Sequence, residues 1–174
     1  MPKPLRIGAG FICGCGRGYG HSAMPRLPRS QLEDGFFHAT ARAIFGLALF
    51  VDDLDRLDFL QLLRSTVELF DWRCHAHCLL GTHYHLVLEA SRLQLSEGMR
   101  RLNGDYARRF NKRHGRRGHL FEERFSSFVL RDERHLRAAV EYVLQNPVKA
   151  GLCAHAGDWQ WSAAAAFGTL ESAR

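Results

Sequence analysis

Strand-like and helix-like runs follow one another in the order strand, helix, strand, strand, helix, strand, which predicts an α+β fold of the ferredoxin-like split βαβ type. Three observations carry this expectation. An aromatic run follows Gly35, two stretches repeat apolar residues every three or four positions, and Gly81-Thr82 joins two short apolar runs. The expected layout is an antiparallel sheet with helices on one face, plus a C-terminal helix. Such a fold hosts many unrelated activities, so function has to be read from the site.

Residues 1–34 carry Gly8, Gly10, Gly14, Gly16, Gly18 and Gly20 and few periodic apolar positions, and are expected to form a disordered extension. Met24 is a second candidate start; a native mass that begins before it would exclude that reading. Residues 35–174 are expected to form one domain, with Phe36 to Arg42 as its first strand. Ala43 to Val51 fits neither period. Asp52 or Asp53 can cap a helix whose inner stripe is Leu54, Leu57, Leu60, Leu63, Val67 and Phe70. Trp72 to Leu80 and His83 to Glu89 read as a hairpin. Ser96 opens the second helix, with Met99, Leu102, Tyr106 and Phe110 on one stripe and arginines around it, and His114-Gly115 ends it. Phe125 to Leu130 is the next strand. A helix from Asp132 buries Leu136, Val140 and Val143 and stops within a residue or two of Pro147. The tail, with Trp159, Trp161 and Phe167, is expected to pack as a short helical cover.

A chain of 174 residues with 46% hydrophobic and 24% charged residues suits one soluble domain. It has no apolar stretch long enough to span a bilayer and no secretory leader pattern, and its five cysteines, an odd number, fit free thiols in a reducing compartment. A cytoplasmic location is the expectation. The formal charge of +6 is concentrated between Arg100 and Arg124, where nine basic residues face three acids. Interleaved aromatic residues in that segment suit phosphate neutralisation with base stacking, although a solvated basic helix has the same composition.

His83 and His85 flank one residue in a predicted strand, so their side chains share a face roughly 6.6 Å apart and can aim at one cation. Two ligands do not complete a site. An oxygen donor and several waters as the remainder would favour Mg²⁺ or Mn²⁺ over a closed zinc cage. On a helix, Tyr142 and Asn146 lie one turn apart and their polar atoms can approach a common point. A helical tyrosine is commonly a packing residue, and Asn146-Pro147 can be a helix stop. Cys74-His75-Ala76-His77-Cys78 suggests zinc, but regular alternation sends the two thiols to one face and the two imidazoles to the other.

The sequence resembles the single-tyrosine HUH endonucleases of the IS200-like, REP-associated tyrosine transposase group. The resemblance runs from about Met24 to Phe167 and rests on several motifs in order. These are Gly35-Phe36-Phe37-His38-Ala39-Thr40-Ala41-Arg42, Thr82-His83-Tyr84-His85, Met99 to Ala107, Phe110 to Gly115, Gly118-His119-Leu120-Phe121, Arg124-Phe125, and Tyr142 with Asn146 to Leu152. It implies a metal-dependent single-strand DNA nickase and strand transferase acting on single-stranded or hairpin DNA. His83, His85 and Asn146 would hold Mg²⁺ or Mn²⁺, and Tyr142 would be the nucleophile. Arg100, Arg101, Asn103, Tyr106, Arg108, Arg109, Lys112, Arg113, Arg116, Arg117, His119, Arg124 and Lys149 would contact DNA. The resemblance allows a homodimer and involves no membrane. Ala43 to Phe50 replaces the polar turn usual in the family, and Glu122-Glu123 adds two acids; both bear on DNA affinity. A domesticated DNA-binding protein on the same fold, without mobilising activity, and a zinc-stabilised nucleic-acid module using Cys74 and Cys78 are the rival readings.

Overall fold

The computed structural model describes residues 34–165, so the expectations for residues 1–33 and for Phe167 fall outside the described residues. The elements are β1 (Gly35–Arg42), α1 (Asp53–Leu69), β2 (Arg73–Leu79), β3 (His83–Ala90), α2 (Arg92–Arg113), β4 (Ser126–Leu130), α3 (Glu133–Lys149) and β5 (Ser162–Ala164). The sheet order is β4-β1-β3-β2-β5 with every neighbouring pair antiparallel, which is the ferredoxin-like arrangement extended by one edge strand. Among the described residues, no helix is long and apolar enough to cross a membrane.

The sheet separates two apolar layers. Phe37, Ala39, Ala41, Tyr84, Leu86 and Leu88 point toward α1 and α2, where Phe59, Leu63, Leu95, Met99 and Leu102 meet them. Ala76, Cys78 and Val87 point the other way and are covered by Leu136, Ala139, Val140 and Val143 of α3. Alternation along β1 and β3 therefore feeds two cores at once.

Sequence periodicity placed α1 correctly but chose the neighbouring stripe. Asp52 caps it, its carboxylate accepting the Asp55 N–H at 3.1 Å. The buried positions are Asp55, Phe59, Leu62, Leu63 and Thr66, whereas Leu54 and Leu57 are 62% and 54% exposed. The stripe is shifted because the Asp55 carboxylate is buried by partners of its own: the guanidinium of Arg113, His114 at 3.0 Å and the Val51 N–H at 2.9 Å. This ties the first turn of α1 to the end of α2.

Helix α2 starts four residues before the predicted Ser96. Ser91 accepts the Gln94 N–H at 3.3 Å and Asp34 accepts the Arg92 N–H at 2.8 Å, so the earlier turn satisfies two N–H groups that would otherwise be orphaned. Gly98 permits the closest approach along this helix, since a Cβ there would meet Trp72 at 2.2 Å. Helix α3 is capped by Asp132, as predicted, and ends at Lys149, two residues beyond Pro147.

Two expectations fail. The tail forms a 3₁₀ turn at Ala156–Asp158 and then the strand β5 on the edge of β2, rather than a helical cover. Trp159 anchors it by donating its indole N–H to the Leu79 carbonyl at 3.0 Å. Second, β2 does not alternate regularly. Cys74 pairs with Leu88 while Ala76 pairs with Val87, so His75 is the extra residue of a β-bulge. Cys74 therefore packs with the α1/α2 layer and Cys78 with the α3 layer.

Candidate active site

Strand parity fixes the faces. With Phe37, Ala39 and Ala41 under α1 and α2, His38, Thr40 and Arg42 must face α3, and the same holds for His83 and His85 beside core-facing Tyr84 and Leu86. Register then sets distances. His38 pairs with Val87 and Thr40 with His85, so His38 is the diagonal neighbour of His85. The two rings meet end-on, with His38 Nε2 and His85 Nδ1 3.0 Å apart. His83 completes the group, its ring centroid 5.1 Å from that of His85 at 78°.

Helix α3 brings Tyr142 onto this group. Its ring lies 6.0 Å from His85 at 88° and 5.9 Å from His38 at 68°, and all these residues belong to one chain. Lys149 Nζ lies 4.4 Å from the centre of the Tyr142 ring, a cation–π contact. One turn beyond the tyrosine, buried Asn146 donates its Nδ2–H to the Tyr142 carbonyl at 2.8 Å. That bond fixes the amide and leaves Oδ1 as its acceptor.

Burial holds all three imidazoles neutral. It pushes the pKa of His38 and of His83 down to about 4, with Arg42 adding to the effect on His83. His85 lies well below its usual value, through burial first and then the proximity of His38, His83 and Arg42. Neutral imidazole is the ligand form of histidine. His83 Nδ1 is 3.1 Å from the Thr82 hydroxyl, and His85 Nε2 is buried with no hydrogen-bond partner. Among the described residues no three His, Cys, Asp or Glu side chains cluster to hold a metal. An orphaned buried imidazole nitrogen, a second imidazole and an amide oxygen fit a divalent cation that keeps several waters.

The predicted DNA contacts divide into groups. Tyr106 is 1% exposed and donates its hydroxyl to the Leu49 carbonyl at 2.7 Å, while Asn103 is 7% exposed and bridges the Tyr84 hydroxyl and the Arg124 carbonyl. Neither offers a surface to a base, nor does buried Phe110. The helical stripe that looked like a stacking platform is core. Arg100 is paired with Glu97, Arg101 and Arg108 with Asp105, Arg109 with Asp58, and Arg113 with Asp52 and Asp55, while Arg116 lies over the Phe110 ring. All of these but Arg116 sit on α2, across the sheet from the histidines. Lys112, Arg117, His119 and Arg124 are exposed. The loop carrying the last two runs beside the histidine end of the sheet, where the Glu122 N–H donates to the Arg42 carbonyl at 3.0 Å and Arg42 pairs with His83.

Cys74 and Cys78 make no shared metal site, because the bulge places them on opposite faces, and burial pushes both thiols up to about 12. His38 is the residue that sequence reasoning missed. The parity of β1 already put it on the histidine face, but only register shows that it reaches His85.

A solved structure described as a REP-associated tyrosine transposase bound to a REP hairpin has the same fold, with a TM-score of 0.63, 18% identity, and 75% of this chain and 77% of that chain covered. A Haemophilus influenzae protein named for the REP-associated tyrosine transposases is 28% identical over 116 residues, which span 60% of this chain and 66% of that relative. The family model described as transposase IS200 like matches residues 37–146, an interval that opens beside His38 and closes on Asn146, and this chain belongs to the IS200-like transposase family.

Proposed function

We propose that this protein nicks single-stranded DNA next to a hairpin and transfers the cut strand, with Tyr142 as nucleophile. The observation that carries this reading is the seating of the Tyr142 ring against the His38–His85 pair, with Asn146 one helical turn away. A phenol has an ordinary pKa near about 10, so it attacks at neutral pH only a phosphate that is oriented and polarised. Mg²⁺ or Mn²⁺ bound by His83, His85 and Asn146 would supply that Lewis acidity.

The protein's own groups do the rest. Tyr142 Oη forms a bond to the scissile phosphorus as the bond to the 3′ oxygen breaks. The phenolic proton leaves, the 3′ oxygen acquires one, and a 5′-phosphotyrosine remains. Attack by a free 3′ hydroxyl on that link reverses the step and joins a strand, with no external energy source. Lys149, whose Nζ lies over the Tyr142 ring, would add a positive charge beside the attacked phosphate. Lys112, Arg117, His119 and Arg124 are exposed to take up backbone charge. Arg100, Arg101, Arg108 and Arg109 can join them, because their surface ion pairs are worth only about 0–1 kcal/mol and yield to phosphate.

The test is incubation of single-stranded hairpin DNA with the protein and Mn²⁺, followed by a denaturing gel. The wild type is expected to leave a covalent protein–DNA adduct, absent with chelator and absent in Tyr142→Phe. An undiminished adduct in that variant overturns the assignment.

A further inference from the structure

We infer that His38 is a positioning residue for the cation site: its Nε2 accepts the Nδ1–H of His85 and so keeps the His85 Nε2 lone pair directed at the ion. The inference rests on the reading of His85 as a ligand and assigns a role to a residue outside the ligand set.

A neutral imidazole carries one N–H and one lone pair, so the 3.0 Å contact between His38 Nε2 and His85 Nδ1 needs a proton on one side. If His38 donated it, the His85 proton would sit on Nε2. That nitrogen is buried and has no hydrogen-bond partner, so the arrangement would leave a buried donor unsatisfied and could bind no cation there. With His85 as donor, the same buried position holds a lone pair. A cation satisfies it.

The geometry is enforced from several sides. Strand register fixes His38 diagonally across from His85. The His38 ring is hemmed by Phe128 at 6.3 Å and by the edge of Tyr142 at 5.9 Å, so it cannot swing away without disturbing the nucleophile. One side chain thus touches both the inferred ligand and the inferred nucleophile. Ligating histidines generally depend on such a second hydrogen bond, and its loss weakens metal binding by about 10–100-fold.

The experiment uses full-length protein labelled with ¹⁵N-histidine, with divalent ions removed, and long-range ¹H–¹⁵N spectra to read each tautomer. His85 is expected to be protonated at Nδ1. In His38→Ala the tautomers should mix, and Mn²⁺ affinity measured by calorimetry should fall by roughly 10–100-fold. His38→Gln, whose amide oxygen can stand in for Nε2, should recover most of it. A His85 protonated at Nε2 in the wild type overturns the inference without any variant that might misfold. Unchanged tautomer and affinity in His38→Ala overturn it as well. Those two results leave the ligand assignment standing if His85→Ala abolishes Mn²⁺ binding, whereas undiminished Mn²⁺ binding in His85→Ala overturns the assignment itself.

Discussion

Under α1 and α2, the Tyr84 hydroxyl donates to Asn103 at 2.6 Å and the Tyr106 hydroxyl to the Leu49 carbonyl at 2.7 Å. Under α3, on the other face of the same sheet, His85 is also buried and its Nε2 has no partner. Trp72 Nε1, which can only donate, and Asn111 Oδ1 on α2 are unpartnered too, so what distinguishes His85 is that its open nitrogen belongs to a ring packed against two more imidazoles and Tyr142. The difference separates structure from function. Buried tyrosines with satisfied hydroxyls hold one layer together, whereas the other leaves a buried imidazole nitrogen open, and that nitrogen is what the proposed cation site would use.

The largest expected effect breaks the second face: Tyr142→Phe should reduce covalent adduct formation to background on a denaturing gel. A lesion on the first face should act on stability instead. Asp55→Ala removes a buried carboxylate from Arg113, His114 and the Val51 N–H, and should cost roughly 3 kcal/mol, the low end for a broken buried pair because Arg113 is half exposed. Urea denaturation would measure it, with Mn²⁺ affinity unchanged. Tyr84→Phe leaves the Asn103 oxygen without its donor and should cost about 1–3 kcal/mol. A change in Mn²⁺ affinity in that variant would blur the division between the faces.

Protonation offers a gentler perturbation of the second face. His38 and His83 have folded pKa values near 4, below the ordinary 6.5, so between those limits the unfolded chain binds more protons than the folded one. Stability of the metal-free protein should therefore be full above about pH 6.5 and decline as pH falls toward 4. A flat urea midpoint across that window would show the imidazoles to be solvated. The smallest effect is expected at Arg109→Ala, which breaks the surface pair with Asp58: a stability loss of about 0–1 kcal/mol, with a shallower salt dependence of DNA binding.

How legible each feature was in the sequence follows from what each depends on. Element order and the identity of β1, β3 and α3 depend on local periodicity, which Phe37, Ala39 and Ala41 or Leu136, Val140 and Val143 display openly. His83 and His85 shared a face for the same reason. The inward stripe of α1 was misread because Asp55 is buried through Arg113, more than fifty residues away, and a charged residue does not advertise burial. Tyr106 was misread as a stacking group because its neighbours are arginines, while its hydroxyl is satisfied by the distant Leu49 carbonyl. His38 needed the pairing register of β1 with β3, which no local pattern encodes.

The bulge at His75 acts as a phase shift. Up to Cys74 the strand is in step with the α1/α2 layer, and from Ala76 onward its side chains have exchanged sides. One inserted residue thus lets a seven-residue strand supply apolar groups to both layers without changing its composition. Cys74 and Cys78, four strand residues and so roughly 13 Å apart, are beyond disulfide reach on either face, and the bulge also turns their side chains to opposite sides of the sheet. No oxidant can join them without dismantling β2.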